Sequence, residues 1–215
     1  MAMLPSFDFT QLVALAAALG WASGLRLYGV VFLVGLVGAM GWLPLPPGLA
    51  VLQHPWVLGA AGVMLVVEFL ADKIPLVDSA WDAVHTLVRI PAGAALAAAV
   101  FGGGVSVGGE HAEALQVIAA LLGGTLAATS HLAKATTRAA ANTSPEPFSN
   151  IGLSLLGDVS VPAMLWLSWS HPVAFFVVLA VVLALMVALT LLLFKFVRGL
   201  LRRLQARFGP AQRQA

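Results

Sequence analysis

The sequence predicts an all-α protein, a polytopic transmembrane helix bundle of about six spans, and three observations predict it. Hydrophobic residues fill 60% of the 215 positions and charged ones only 9%, with a mean hydropathy of +0.98; an ordinary soluble domain carries about 25% charged residues. Apolar runs recur at lengths close to the roughly 20 residues that cross a bilayer as a helix. Between the runs stand clusters of Pro, Gly, Asn and Ser, the residues that end helices and build turns.

The first run, residues 10–42, would make a straight helix of about 50 Å, well beyond the hydrocarbon core. It is expected to tilt, or to break between Gly20 and Arg26, where freed backbone groups would need a polar cavity or a neighbouring helix. A break would give two short spans, seven helices in all, and an outer N-terminus. The remaining runs are 55–72, 78–102, 113–138, 148–169 and 172–200. They are separated by Pro44, Pro46, Pro47 and Gly48 before the second, Pro75 before the third, Gly102 to Gly104 with Gly108 and Gly109 before the fourth, Asn142, Ser144, Pro145 and Pro147 before the fifth, and Ser170, His171 and Pro172 before the sixth.

Residues 1–200 therefore read as a single transmembrane domain and 201–215 as a basic cytoplasmic tail. Six of the eleven Lys and Arg residues lie in the last 21 positions, where basic groups anchor a span on the cytoplasmic face and meet anionic lipid; no nucleic-acid partner is implied. With six spans and both termini inside, Lys73, Arg138 and the tail all fall on the cytoplasmic side, and the outer connections carry no Lys or Arg. Trp42, Trp56, Trp166 and Trp169 then sit near the outer interface. Met1 to Gln11 has no basic residue and so lacks the start of a signal peptide. No cysteine is present, which excludes disulfides and thiolate chemistry.

The charges inside the apolar runs are the candidate functional residues, because a charge in a bilayer costs several kcal/mol and faces a protein interior or a wet cavity. Asp78, Asp82, His85 and Arg89 are spaced 4, 3 and 4 apart and share a helical face. His131, Lys134 and Arg138 make a second stripe, Asn150, Ser154 and Asp158 a third, and Glu68 and Asp72 stand one turn apart, with Lys73 next to them. Three polar stripes on apolar helices must face one another. Depth along each run brings Arg26, Arg89, His131 and Asp158 together near the midplane, with the other charges lining a vestibule. A faint two-fold repeat matches Pro75, Asp78, Asp82 and Pro91 to Pro147, Asn150, Ser154 and Pro162, an arrangement common in transporters.

The stretches from Glu68 to Asp82, from His131 to Arg138 and from Asn142 to Asn150 resemble the signature of a bacterial integral membrane family catalogued as a domain of unknown function, number four-one-two-six. The resemblance runs from about Gly24 to the last span. It implies a multi-span protein of the bacterial inner (cell) membrane and supplies no activity.

The leading functional expectation is a small-solute transporter or channel-like carrier for a polar anionic or zwitterionic solute, with Arg26, Arg89, His131 and Asp158 framing the site and His85 and His131 as candidate proton relays. The alternative within transport is a divalent-cation carrier using Glu68, Asp72, Asp78, Asp82 and His85, with Asp78, Asp82 and His85 as candidate metal ligands. A non-catalytic assembly protein, able to self-associate through small-residue faces, is the alternative outside transport. No spacing matches a known catalytic motif, so an enzyme is not expected, and no cofactor is indicated. The expected partners are membrane lipid and a small polar solute or ion.

Overall fold

The structure is a computed structural model that describes residues 7–74, 76–104, 111–143 and 147–208. Pro75, Gly108, Gly109, Ser144, Pro145 and the end of the tail lie outside the described residues. Six long helices follow the apolar runs: α1 (Phe9–Ala39), α2 (Pro55–Ala71), α3 (Val77–Ala99), α4 (Ala112–Ala141), α5 (Pro147–Ser170) and α6 (Pro172–Phe208). A 3-10 helix, Pro47–Gln53, precedes α2, and no strand occurs among the described residues. Pro47, Pro55 and Pro172 each open a helix, where a missing N–H is no loss. The helix of α6 runs on to Phe208 without a break at residue 200.

Four helices, α1, α4, α5 and α6, are long and apolar enough to cross a membrane. The 3-10 helix and α2 would make a fifth if taken as one span bent by 68°. The expected six spans are thus not all met by length and apolarity. Alone, α2 has only 17 residues. In α3 the face bearing Asp78, Asp82, His85 and Arg89 is buried in the bundle, and these polar groups lower its apolarity.

The long first run does not stay straight. Arg26 has non-helical backbone angles, φ −144° and ψ 74°, and the packing shows what the chain does there. The Phe9 ring lies 6.2 Å from Phe101 and the Phe7 ring 5.8 Å from Trp169, so α1 begins at the ends of α3 and α5. Gly20 packs on Gly123, Gly24 on Ala127 and Ser130 further down α4, and Arg26 pairs with Asp72 at the far end of α2. The chain then returns. Gly29 lies near Leu65, Phe32 near Gly62, and Gly35 on the Leu52 carbonyl of the 3-10 helix, whose Gly48 packs on the Ala99 carbonyl. Both ends of α1 therefore reach the same end of α3, although a straight helix of 31 residues would separate them by about 46 Å. The helix is a V of two limbs, 9–25 and 27–39, about 25 and 20 Å long, with Arg26 at the vertex.

This fold-back places the beginning of α1 and the far part of α6 at opposite ends of the bundle. The beginning of α1 lies at the end of the bundle marked by Trp42, Trp56, Trp166 and Trp169. Helix α6 starts at that same end and leads away from it: its residues Val182 to Leu189 are level with Arg26, and it continues to Phe208.

The bundle has two storeys. Toward the Trp end, Leu12, Leu19, Leu49, Val100, Phe101 and Phe175 form an apolar core; away from it, the buried side chains are charged. Helix α1 touches every other helix, and α3 and α4 are the most intimately packed pair. Close approach rests on small residues. A Cβ on Gly20 would stand 2.5 Å from the Gly123 Cα, and one on Gly93 would stand 2.6 Å from the Ala127 Cβ. The outward faces carry exposed apolar side chains such as Leu87, Leu121, Leu156 and Leu191, as a lipid-facing surface requires. Gly123→Leu should destabilise the protein by about 1–3 kcal/mol or more through overpacking. Gly59→Ala, where a Cβ meets nothing within 4 Å, should leave thermal unfolding in detergent unchanged or slightly raised.

Candidate functional site: a buried charge network

Five cations, Arg26, Lys73, Arg89, Lys134 and Arg138, meet five carboxylates, Glu68, Asp72, Asp78, Asp82 and Asp158, in one continuous set of ion pairs. Every Lys and Arg before residue 195 belongs to this set, and five positive charges against five negative leave it neutral. Asp72 is its hub. Fully buried at the end of α2, it pairs with Arg26, with Lys134 at 3.0 Å and with Arg138 at 3.0 Å, while its own carbonyl accepts from Arg138 Nη1 at 3.2 Å.

On one side of the hub, Arg26 extends to Asp158 Oδ1 at 2.8 Å and donates to the Ser154 hydroxyl at 2.8 Å and carbonyl at 3.2 Å. Lys73 reaches the same region at the edge, 3.6 Å from Asp158 Oδ2 and 3.2 Å from Ser154 Oγ, with its ammonium over the Phe69 ring. On the other side, Lys134 bridges to Asp82 at 3.2 Å. Arg89 then forks between Asp82 and Glu68, both at 2.7 Å. The sign alternates along the whole path: Asp158, Arg26, Asp72, Lys134, Asp82, Arg89, Glu68. Such satisfaction is what allows charges to be buried at all. Glu68 Oε2 and Arg89 Nε, both buried, make no hydrogen bond among the described residues.

The break in α1 is part of the network. Losing the helix at Arg26 frees the Leu25 carbonyl, which accepts from Lys134 Nζ at 3.0 Å, and the Trp21 carbonyl accepts from Ser130 Oγ at 2.7 Å. Gly24 is what permits this fit, because any Cβ there would collide with the Ser130 hydroxyl and the Ala127 carbonyl.

The two histidines have fixed roles. Arginine only donates, so His131 Nδ1, 3.2 Å from Arg89 Nη1, must accept. Its Nε2–H then donates to Thr86 Oγ1 at 2.7 Å, whose own proton goes to the Asp82 carbonyl. His85 has the opposite tautomer: Nδ1–H donates to the Trp81 carbonyl at 2.9 Å, and Nε2 accepts from the Tyr28 hydroxyl at 3.3 Å, with the ring stacked on Trp81. The two histidines share no hydrogen bond with each other: His131 lies between Arg89 and Thr86, and His85 between Trp81 and Tyr28.

Twelve of the thirteen expected residues come together, though not as one four-residue site, while His85 stands apart against Tyr28 and Trp81. Arg26 touches Asp158 and Arg89 touches His131, but the two pairs are linked only through Asp72, Lys134 and Asp82, and Arg89 does not pair with Asp158. Asp78 meets Arg138 at 3.5 Å, and Asn142 donates to it at 3.0 Å; Asn150 donates to Asn142 at 2.6 Å. Asn142 thus joins Asp78 to Asn150, the two residues matched by the sequence repeat. The candidate metal ligands do not converge: no group of three His, Asp or Glu able to hold an ion exists among the described residues. Asp78 and Asp82 are taken by cations, and His85 faces Tyr28. Sequence reasoning missed Tyr28, Thr86 and Asn142. Thr86 continues the Asp82 stripe by one turn and Asn142 continues the Arg138 stripe by one turn, so both were legible; Tyr28 carries no signal of depth or facing.

Residues 13–191 match the family described as Domain of unknown function (DUF4126). The chain belongs to this family. The DUF4126 match spans both limbs of α1 from Val13 onward and every member of the charge network. No curated protein and no solved structure matches.

Asp72→Asn should destabilise this DUF4126 protein by about 3–5 kcal/mol, because it strands three buried cations. Lys73→Met, at the exposed edge, should cost no more than about 1 kcal/mol. Unfolding of the purified variants by heat or denaturant checks the contrast.

Proposed function

We propose that the protein is a small-solute carrier of the bacterial inner membrane, not an enzyme, and that a polar anionic or zwitterionic solute is handled at the vertex of α1. The observation that carries this reading is the broken helix with Arg26 at its tip. Non-helical backbone at membrane depth is tolerated where it is buried in protein or lines a cavity, and transporters build solute sites from such discontinuous helices. A charged solute would exchange with an existing ion-pair partner. Arg26 is suited to this, since its guanidinium already divides itself between Asp72, Asp158 and Ser154. Spare hydrogen-bonding capacity on Glu68 and Arg89 supports a site that receives polar guests.

The proposed topology places the Trp end outside and the basic end of α6 in the cytoplasm, with the beginning of α1 outside. Every Lys and Arg in a connection or tail then lies inside, as the charge rule demands. A divalent-cation carrier gains no support from the geometry. A purely structural role is favoured by one observation, the pairing of all ten charges, and is separated from transport by the same experiment.

In proteoliposomes supplied with labelled organic acids of short and long chain and with amino acids, one class should be taken up, and Arg26→Ala should lower its flux at least about tenfold, the loss of one charge-assisted contact. Lys195→Ala, outside the network, should not. Absence of flux for the whole panel with folded protein would return the network to a structural role. Because the chain has no cysteine, single cysteines at Asp8 and Gly199 should react with an impermeant thiol reagent from opposite faces of the membrane.

A further inference from the structure

Beside the vertex of α1 lies a cavity of about 270 Å³, bounded by α1, α4, α5 and α6. It occupies the place where α5, packed on α1 and α6, scarcely meets α4. Of the network, the members lining it are Arg26, Lys134 and Arg138 with Asp72: three positive charges and one negative, although the network as a whole is neutral. Asp78, Asp82 and Glu68 sit behind this surface. The floor therefore presents more cations than carboxylates. Arg26 is also held by Asp158 at 2.8 Å and Lys134 by Asp82 at 3.2 Å, so an anionic head would take the place of a carboxylate partner. Ser154 and Ser160 also line the cavity.

The walls have the opposite character. Leu153, Leu156, Val182, Leu185 and Leu189 line the cavity, and Leu156, Leu185 and Leu189 are 67%, 64% and 42% exposed on the outer, lipid-facing surface of the bundle. One continuous apolar surface thus leads from the bilayer to the charged floor. A fully hydrated solute would gain nothing from these walls, whereas a hydrocarbon chain would remain in an environment like the membrane it came from. The volume lies just under the range of about 300–1,000 Å³ usual for ligand pockets, enough for a head group and the first part of a chain.

We infer that the cavity binds an amphipathic anion, a carboxylate or phosphate head on a single hydrocarbon chain, which enters sideways from the bilayer and sets its head against Arg26, Lys134 and Arg138. This deepens the carrier reading by naming the class of molecule carried, and it rests on that reading for its role in transport. Gly157 gives a way to block the site without removing a charge. It lines the cavity, and a Cβ there would meet only Arg26 Nε, at 3.8 Å, an ordinary contact.

The test uses the full chain in phosphatidylcholine nanodiscs with a long-chain fatty acid bearing a photoreactive diazirine near its head, and with the matching fatty alcohol. Cross-links mapped by mass spectrometry should concentrate on residues 153–157 of α5 and 182–189 of α6, with about tenfold less for the alcohol, the worth of one charge-assisted head-group contact. Unlabelled fatty acid should compete and inorganic phosphate should not. Gly157→Leu should lower the labelling while its unfolding midpoint stays at the parent value. Equal labelling by acid and alcohol in the parent protein, a comparison that needs no variant, would overturn the inference, and so would competition by inorganic phosphate, which would assign the floor to soluble anions. Site-specific labelling in a protein that shows no flux would instead overturn the carrier reading alone, and flux of a small organic acid with unselective labelling would overturn this inference alone.

Discussion

The arrangement depends on the fully buried Asp72 carboxylate and the three cations gathered on it. Arg26, Lys134 and Arg138 come from α1 and α4, and Asp72 ends α2. A carboxylate taken out of water needs such partners, since an unpaired charge there would cost many kcal/mol. Each cation in turn needs further partners, and Arg26 finds Asp158 while Lys134 finds Asp82. The alternation of sign follows from that requirement, and it is what ties α2, α3 and α5 to α1 and α4 in the storey where apolar packing is sparse. Ion pairs of this kind contribute less to stability than apolar packing would. Their presence in place of leucines and valines therefore points away from stability as their purpose and toward a polar task.

The second constraint is steric. Arg26 reaches Asp72 only if the first limb of α1 descends between α3 and α4, and it descends there because Gly20, Gly24, Gly93 and Gly123 let the backbones meet. The vertex then has freed carbonyls, and Lys134 serves one of them as well as Asp72. A single break thus joins the packing problem to the charge problem.

Much of this was legible in the sequence. The six helices fall where the apolar runs lie, because long apolar runs with Pro and Gly between them have few alternatives in a membrane. The stripes at 78, 82, 85 and 89 and at 131, 134 and 138 faced inward as their spacing required, and the break between Gly20 and Arg26 was announced by a run too long to be one span. What the spacing could not give was the angle of that break. A hairpin and a tilted rod have the same composition, and the choice is made by contacts such as Phe9 with Phe101 that lie far apart in the chain. For the same reason the spacing left open at which end of the bundle the first limb begins. Pairing was legible only in part: the one-face spacing puts Asp82 two turns from Arg89, whereas Glu68, on another helix, becomes its second partner only in the geometry. The metal candidates were open to a second reading for the same reason, since carboxylates one turn apart suit a cation equally whether it is a metal or an arginine. Among the described residues Asp78 and Asp82 meet arginine and lysine.

The vertex of α1 brings Arg26 both to the hub of the network and to the cavity between α4, α5 and α6, so the folded-back shape of α1 is what the proposed site depends on. The most direct measurement is the distance between spin labels on cysteines at Phe9 and Ala39, read by pulsed electron resonance in lipid. The V-shaped helix predicts a distribution centred at no more than about 30 Å, allowing for the label arms and the reach of the 3-10 helix. A distribution centred near the 46 Å or so of a straight helix would contradict it.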